Sequence, residues 1–123
     1  RLAGWLSGSC LLLRWDAFES VDGFDERYFM YMEDVDLGDR LAKAGWTNVF
    51  TPSAEIAHAQ GHSASKHPEI SLNAHHQSAY RFQADRLRGP LYAPVRWVLK
   101  AGLTVRCTVA IWWAKRELAR ESA

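Results

Sequence analysis

EDVDLGDRLAKAG, residues 33–45, is the stretch from which the rest of the chain can be read. Glu33, Asp34 and Asp36 crowd one end, Lys43 closes the other and Gly45 follows, which is how a helix marks both of its termini. With Glu33 at zero and about 100° per residue, Asp34 falls near roughly 100°, Leu37 near 40°, Leu41 near 80° and Ala44 near 20°. Glu33 and Asp34 therefore share the apolar face. Asp36, Asp39 and Lys43 fall between roughly 240° and 300°, a side expected to be solvated. Asp34 thus projects toward the protein body at a helix N-terminus, where partial burial and the helix dipole act on its proton in opposite senses. A carboxylate so held suits a general base; the plainer alternative is that Glu33 and Asp34 only complement the dipole.

Upstream, Phe24, Tyr28, Phe29 and Tyr31 form an aromatic loop behind an Asp22-Gly23 turn, and DAFESV reads as a short helical turn capped by Asp16. WLSGSCLLLRW, Trp5 to Trp15, reads as a buried strand in which Gly8 permits close approach of a backbone or ligand. Downstream, TNVFT from Thr47 to Thr51 reads as a strand stopped by Pro52, Glu55 to Ala59 as another, and GHSASKHPE as a loop. Ile70 to Leu87 reads as a helix broken by Gly89-Pro90. Pro94 opens a basic, Trp-rich stretch to about Arg120, expected to form two or more short helices interrupted near Gly102.

The 123 residues are 48% hydrophobic and 24% charged, with six Trp, four Tyr and five Phe, enough apolar surface to exclude a disordered tail. No uncharged run approaches the ~20 residues of a membrane-spanning helix. Cys10 and Cys107 are too few and too far apart for a disulfide framework or a cysteine zinc site, so a reducing compartment is expected. The net charge of +1 conceals an asymmetry: through Tyr80 there are 6 basic and 11 acidic residues, and from Arg81 onward 9 basic and 3 acidic. Arg1 opens the sequence without an initiator Met, a signal-peptide pattern or a cap, as expected of a piece of a longer protein. His58 and His62 are spaced i, i+4, but Gly61 lies between them, which argues against a helical two-histidine zinc site. A strand-end His58 suits instead a lone ligand in an oxygen-rich Mg²⁺ or Mn²⁺ site, or a surface role; His75-His76 suit a helix surface.

GWLSGSCLLLRWDAFESVDGFDERYFMYMEDVDLGDRLAKAGW followed by FTPSAEIAHAQGHS resembles the second half of the catalytic domain of family 2 inverting GT-A glycosyltransferases, over roughly residues 4 to 100. Within that family it is most similar to actinobacterial enzymes that move L-rhamnose from dTDP-rhamnose to the GlcNAc of a decaprenyl-diphosphate-linked cell-wall precursor. The resemblance implies an α/β fold: the acceptor-side, C-terminal half of a GT-A domain at residues 1–80, followed by basic C-terminal helices at 81–123. It makes Asp34 the base that deprotonates the acceptor hydroxyl and His58 this half's ligand to Mg²⁺ or Mn²⁺. Trp5, Gly8, Ser9, Phe29, Tyr31 and Glu33 match the acceptor pocket. The family's D-x-D element and its donor-binding half are expected before residue 1, so the piece alone is expected to be inactive. Asp34-Val35-Asp36 has that form but opens a helix, and is not taken as that element.

Trp97, Trp112 and Trp113 among Arg and Lys, together with a polyprenyl-diphosphate acceptor, lead to an expected peripheral position on the anionic, cytoplasmic face of the plasma membrane, with no nucleic-acid partner. A solvated helical cap is the plainer reading of the basic end. Two rival functions are weaker. A phosphohydrolase needs converging carboxylates, whereas Asp34 and Asp36 diverge by about 160° on the wheel. A lipid- or nucleic-acid-binding module leaves the acidic helix unexplained.

Overall fold

The computed structural model describes residues 1–58 and 68–121. Its contacts group the chain into two compact units, Arg1–Gln60 and Gly61–Ala123; the boundary expected after Tyr80 lies inside a helix of the second.

In the first unit, strand β1 (Leu2–Ala3) pairs antiparallel with β2 (Asn48–Val49) in the register Leu2 to Val49 and Ala3 to Asn48. Helices α1 (Trp15–Glu19) and α2 (Glu33–Lys43) lie between them in sequence. The α/β character is thus carried, among the described residues, by one two-stranded sheet. The strand expected over Trp5 to Trp15 does not form. Its backbone runs irregularly, with Cys10 N–H turned back on Ser7 O and Gly8 N–H given to a side chain, so these donors are spent where a ladder would need them. Residues 55–58 of the expected Glu55 to Ala59 strand are likewise irregular, and Ala59 lies outside the described residues. Arg14, not Asp16, is the N-cap residue of α1; Asp16 sits inside the helix and forms an ion pair with Arg14. The Asp22-Gly23 turn is present, both residues having φ near +60° (57° and 69°).

Helix α2 forms as its sequence predicts. It closes in a Schellman motif: Gly45 (φ +90°) gives its N–H to Ala42 O at 3.1 Å and Trp46 N–H reaches Leu41 O at 2.9 Å. Trp46 then packs on a core of Ala17, Leu37 and Leu41, with Leu13, Phe18 and Val21 around it. Burying a leucine such as Leu37 contributes about 1.5–3 kcal/mol. The wheel misplaces Asp36, which is buried. Arg40 Nε donates to Asp36 Oδ2 at 2.7 Å while its Nη1 donates to Val21 O, so this side of α2 is tied to the turn that follows α1 and carries its own countercharge. Asp39 and Lys43 do pair on an open side.

In the second unit, α3 (Pro68–Ala84) packs against α4 (Ala93–Glu121), joined by a 3₁₀ turn at Pro90–Tyr92. Gly89 (φ +94°) makes the bend, and Arg96 Nη1 clamps it by donating to Leu87 O and Gly89 O. The break expected near Gly102 is absent: α4 is one helix of 29 residues. A mid-helix glycine costs only about 1 kcal/mol, less than the packing of Leu103 and Cys107 on the side facing α3 restores. His75 is exposed as expected, but His76 is buried, its Nδ1 2.7 Å from Leu72 O. His62 and His67 lie outside the described residues. No described helix is long and apolar enough to cross a membrane.

Candidate functional site

Asp34 is fixed by the two segments that the sequence brings to it. Gly8 N–H donates to its Oδ2 at 2.8 Å and Val35 N–H to its Oδ1 at 2.8 Å. Each oxygen keeps a lone pair, so the carboxylate is oriented without being used up. Gly8 lies beside this carboxylate, where an added Cβ would fall 3.4 Å from Asp34 Cβ, at contact distance. Around Gly8 the chain folds on itself: Ser7 Oγ lies 3.1 Å from Ser9 Oγ, and Ser9 N–H reaches Ser7 Oγ at 3.4 Å.

One turn further along α2, Gly38 lies against the backbone of Gly4 and Trp5; a Cβ there would meet Trp5 Cβ at 2.9 Å and Trp5 Cα at 3.0 Å. Asn48 Nδ2 ties the same place together by donating to Gly38 O at 3.0 Å and Gly4 O at 3.2 Å. Thus Asp34 and Gly38, four residues apart on one face, press against the segment from Gly4 to Gly8. Gly38 and Asn48 were missed in reading the sequence. The available signal was a glycine in the interior of an otherwise well-formed helix, which lowers helix propensity and is retained where another backbone comes close.

The entry into α2 is strained. Tyr31 (φ +66°) and Met32 (φ +68°) both take the left-handed conformation, rare for such side chains and a feature that concentrates at functional sites. Glu33 Oε2, next to Asp34, is buried without a hydrogen-bond partner among the described residues, an acceptor that a ligand hydroxyl would satisfy. Earlier in the loop, the Arg27 guanidinium forks onto Asp25 at 2.9 Å and 2.6 Å and holds that carboxyl below its ordinary range. Of the other expected acceptor-side residues, Trp5 is half exposed and joined to the site through Gly38, Tyr31 is half-buried, and Phe29 is 78% exposed.

His58 is exposed in an irregular segment and makes no hydrogen bond or ion pair to the acidic pair among the described residues. No group of three His, Cys, Asp or Glu side chains among the described residues could hold a metal ion. One open imidazole can serve as a single ligand to a divalent cation, but not as a site by itself.

A carboxylate anchored at a helix N-terminus behind a strained aromatic loop fits transfer to a hydroxyl acceptor. Residues 2–71 match the family described as Glycosyl transferase family group 2, and the chain belongs to that family. It is 60% identical over 106 residues to the N-acetylglucosaminyl-diphospho-decaprenol L-rhamnosyltransferase of Mycobacterium tuberculosis, covering 86% of this chain and 34% of that protein. It is 36% identical over 80 residues to Rhamnosyltransferase WbbL of Escherichia coli, covering 65% of this chain and 30% of that one. To the O-antigen biosynthesis protein RfbC of Myxococcus xanthus it is 36% identical over 95 residues, 73% of this chain and 7% of that protein. The chain therefore spans about a third of the length of the first of these relatives. No solved structure matches it. Family membership makes this a glycosyltransferase sequence with a GT-A-type fold.

Proposed function

We propose that this chain is the acceptor-activating, C-terminal half of a GT-A domain. The whole protein transfers L-rhamnose from dTDP-rhamnose to the GlcNAc of a GlcNAc-diphospho-polyprenol, inverting the anomeric centre, in synthesis of a cell-wall linker. The observation that carries the reading is the Asp34 carboxylate, oriented by the N–H groups of Gly8 and Val35 with lone pairs to spare. An inverting displacement needs one base opposite the leaving group, and Asp34 takes the acceptor's proton as its oxygen attacks. The unpaired Glu33 Oε2 receives a neighbouring acceptor hydroxyl, with Trp5, Ser9, Phe29 and Tyr31 bordering the sugar. The name of the Mycobacterium tuberculosis relative supports the choice of rhamnose and of a diphospho-polyprenol acceptor.

Mg²⁺ or Mn²⁺ would neutralise the departing diphosphate, His58 being this chain's ligand and the remaining ligands coming from the donor-binding half. By the same reading the 123 residues alone carry a base without a donor pocket and are inactive. The basic second unit, with exposed Trp97, Trp112 and Trp113, favours a peripheral position on the anionic cytoplasmic face of the plasma membrane, where such an acceptor is met.

The test is Asp34→Asn in the full-length protein. Donor binding should persist while turnover falls by orders of magnitude, because an amide cannot accept the proton. Near-normal turnover in that variant, with the loss appearing in Asp36→Asn, would reverse the assignment.

A further inference from the structure

The second unit holds a cleft of about 360 Å³ between α3 and α4, at the small end of the range of small-molecule sites. The helices run along it in matching steps: Tyr80 meets Lys100, and Asn73 meets Cys107, whose Sγ donates to Asn73 Oδ1 at 3.3 Å. Lys100 and Ile111 stand 11 steps apart on α4, about 16 Å at ~1.5 Å per residue. The lining changes along that length. At one end is the Lys100 ammonium, 5.9 Å from the Tyr80 ring centre; toward the other come Leu103, Cys107 and Ile111 with the methyl groups of Thr104 and Thr108. The two threonine hydroxyls give their protons to carbonyls four residues back, Thr104 to Lys100 O and Thr108 to Thr104 O, both at 2.8 Å, which leaves their methyl groups as the apolar part.

His76 lies in the wall of this cleft and is more than nine-tenths buried. Its Nδ1 faces the Leu72 carbonyl at 2.7 Å, and a carbonyl only accepts, so the ring proton sits on Nδ1. Nε2, on the far edge from its own helix, is buried with no partner. A cationic mouth at Lys100 and an apolar run from Leu103 to Ile111, about 12 Å at ~1.5 Å per residue, together describe an amphiphile with an acidic head and one narrow tail.

We propose that the α3–α4 cleft binds a single-chain lipid phosphate, its phosphate at Lys100 and its hydrocarbon chain toward Ile111. The cleft lies wholly within the second unit, and its assignment rests on the acceptor reading above only for the lipid's identity.

The test uses the full-length protein and farnesyl phosphate below its micellar concentration, with farnesol and inorganic phosphate as separate arms, followed by titration calorimetry. Farnesyl phosphate should bind. Thr104→Trp, which fills an exposed position of the cleft, should weaken both farnesyl phosphate and farnesol at least tenfold. Lys100→Glu should weaken farnesyl phosphate at least tenfold and leave farnesol unchanged. Unaltered farnesyl phosphate affinity in both variants would overturn the proposal, as would inorganic phosphate binding as tightly as farnesyl phosphate, which would mark a plain anion site. Rhamnosyl transfer is assayed in parallel. A protein that binds farnesyl phosphate in this pattern but transfers no rhamnose would keep the cleft and remove the acceptor reading, whereas normal transfer with no farnesyl phosphate binding would do the reverse.

Discussion

Among the described residues two glycines, Gly38 and Gly102, lie inside helices, and the same substitution at each should have opposite effects. At Gly38 an alanine methyl would fall 2.9 Å from Trp5 Cβ, 3.0 Å from Trp5 Cα and 3.3 Å from Gly4 O; one of these is a backbone carbon and another a carbonyl, so no flexible tip can swing aside. Overpacking of this kind costs about 1–3 kcal/mol, and parting the two segments also weakens the paired bonds from Asn48, about 1 kcal/mol more. Against this stands the gain of about 1 kcal/mol for alanine over glycine in a helix interior. The balance for Gly38→Ala is a loss of about 2 kcal/mol, roughly a 30-fold rise in the open population of α2. At Gly102 in α4 nothing lies within 4 Å of the new methyl, so Gly102→Ala should gain up to about 1 kcal/mol. Amide hydrogen exchange of peptides from α2 and α4 in the full-length protein reads each opening locally. Gly38→Ala should also lower turnover, because Asp34 sits one turn away on the same face. Exchange in α2 as slow as in the parent, or slower, would refute the close approach and with it the account of how Asp34 is held.

Asp36→Asn should lower the stability of the first unit by about 1–3 kcal/mol in urea titration, since Arg40 would keep its charge beside an amide; unchanged stability would return Asp36 to the solvated side. His58→Ala should raise the Mg²⁺ or Mn²⁺ concentration for half-maximal activity, and an unchanged requirement would leave His58 without a metal. His75, exposed but with part of its ring against the protein, has its proton affinity lowered from the ordinary 6.5, chiefly by that partial desolvation and further by His76 and Arg106. A depressed histidine gives stability that is complete above the unfolded value and is lost as pH falls through the folded one. The protection of α3 amides, taken relative to their intrinsic exchange rates at each pH, should therefore fall below about pH 6.5 in the parent but not in His75→Gln. Vesicles carrying anionic lipid should bind the full-length protein, and Lys115→Glu with Arg116→Glu should weaken that binding at low salt more than at high salt, because the attraction is screened over about 10 Å at ~0.1 M. Equal sedimentation of parent and variant would leave the basic end as a helical cap.

What was legible in the sequence followed from local rules. The helix over Glu33–Lys43 was marked by charge at both ends and by Gly45, and the Schellman closure onto Leu41 and Ala42 is what those marks encode. What failed depended on partners distant in sequence. Trp5 to Trp15 has the composition of a strand, but a strand exists only where another lies beside it, and among the described residues β2 pairs with Leu2 and Ala3 instead. Gly102 looked like a break because propensity was weighed without α3, whose packing along Leu103 and Cys107 outweighs one glycine. Asp36 looked solvated because a wheel gives direction and not what lies there; Arg40 and the carbonyl of Val21 cover it.

The acidic pair shows how far a one-dimensional reading reaches into a site. The wheel turned Asp34 toward the body of the protein, and that direction is what brings it to Gly8. No periodicity, however, names the donor at the other end of a hydrogen bond 26 residues away in sequence. The two glycines give that away together. Gly8 gives its amide to Asp34, and Gly38 lets α2 lie close enough to the Gly4–Trp5 backbone for the approach to happen. Each glycine weakens its own local structure, one by loosening a loop and the other by weakening a helix, and both losses fall on the face that carries the carboxylate. The left-handed residues Tyr31 and Met32 add a third local cost at the same helix end. Unfavourable local choices that converge on one side chain are what a selected position for that side chain leaves behind, which is why Asp34, rather than Asp36 with its own arginine, is the carboxylate to test for catalysis.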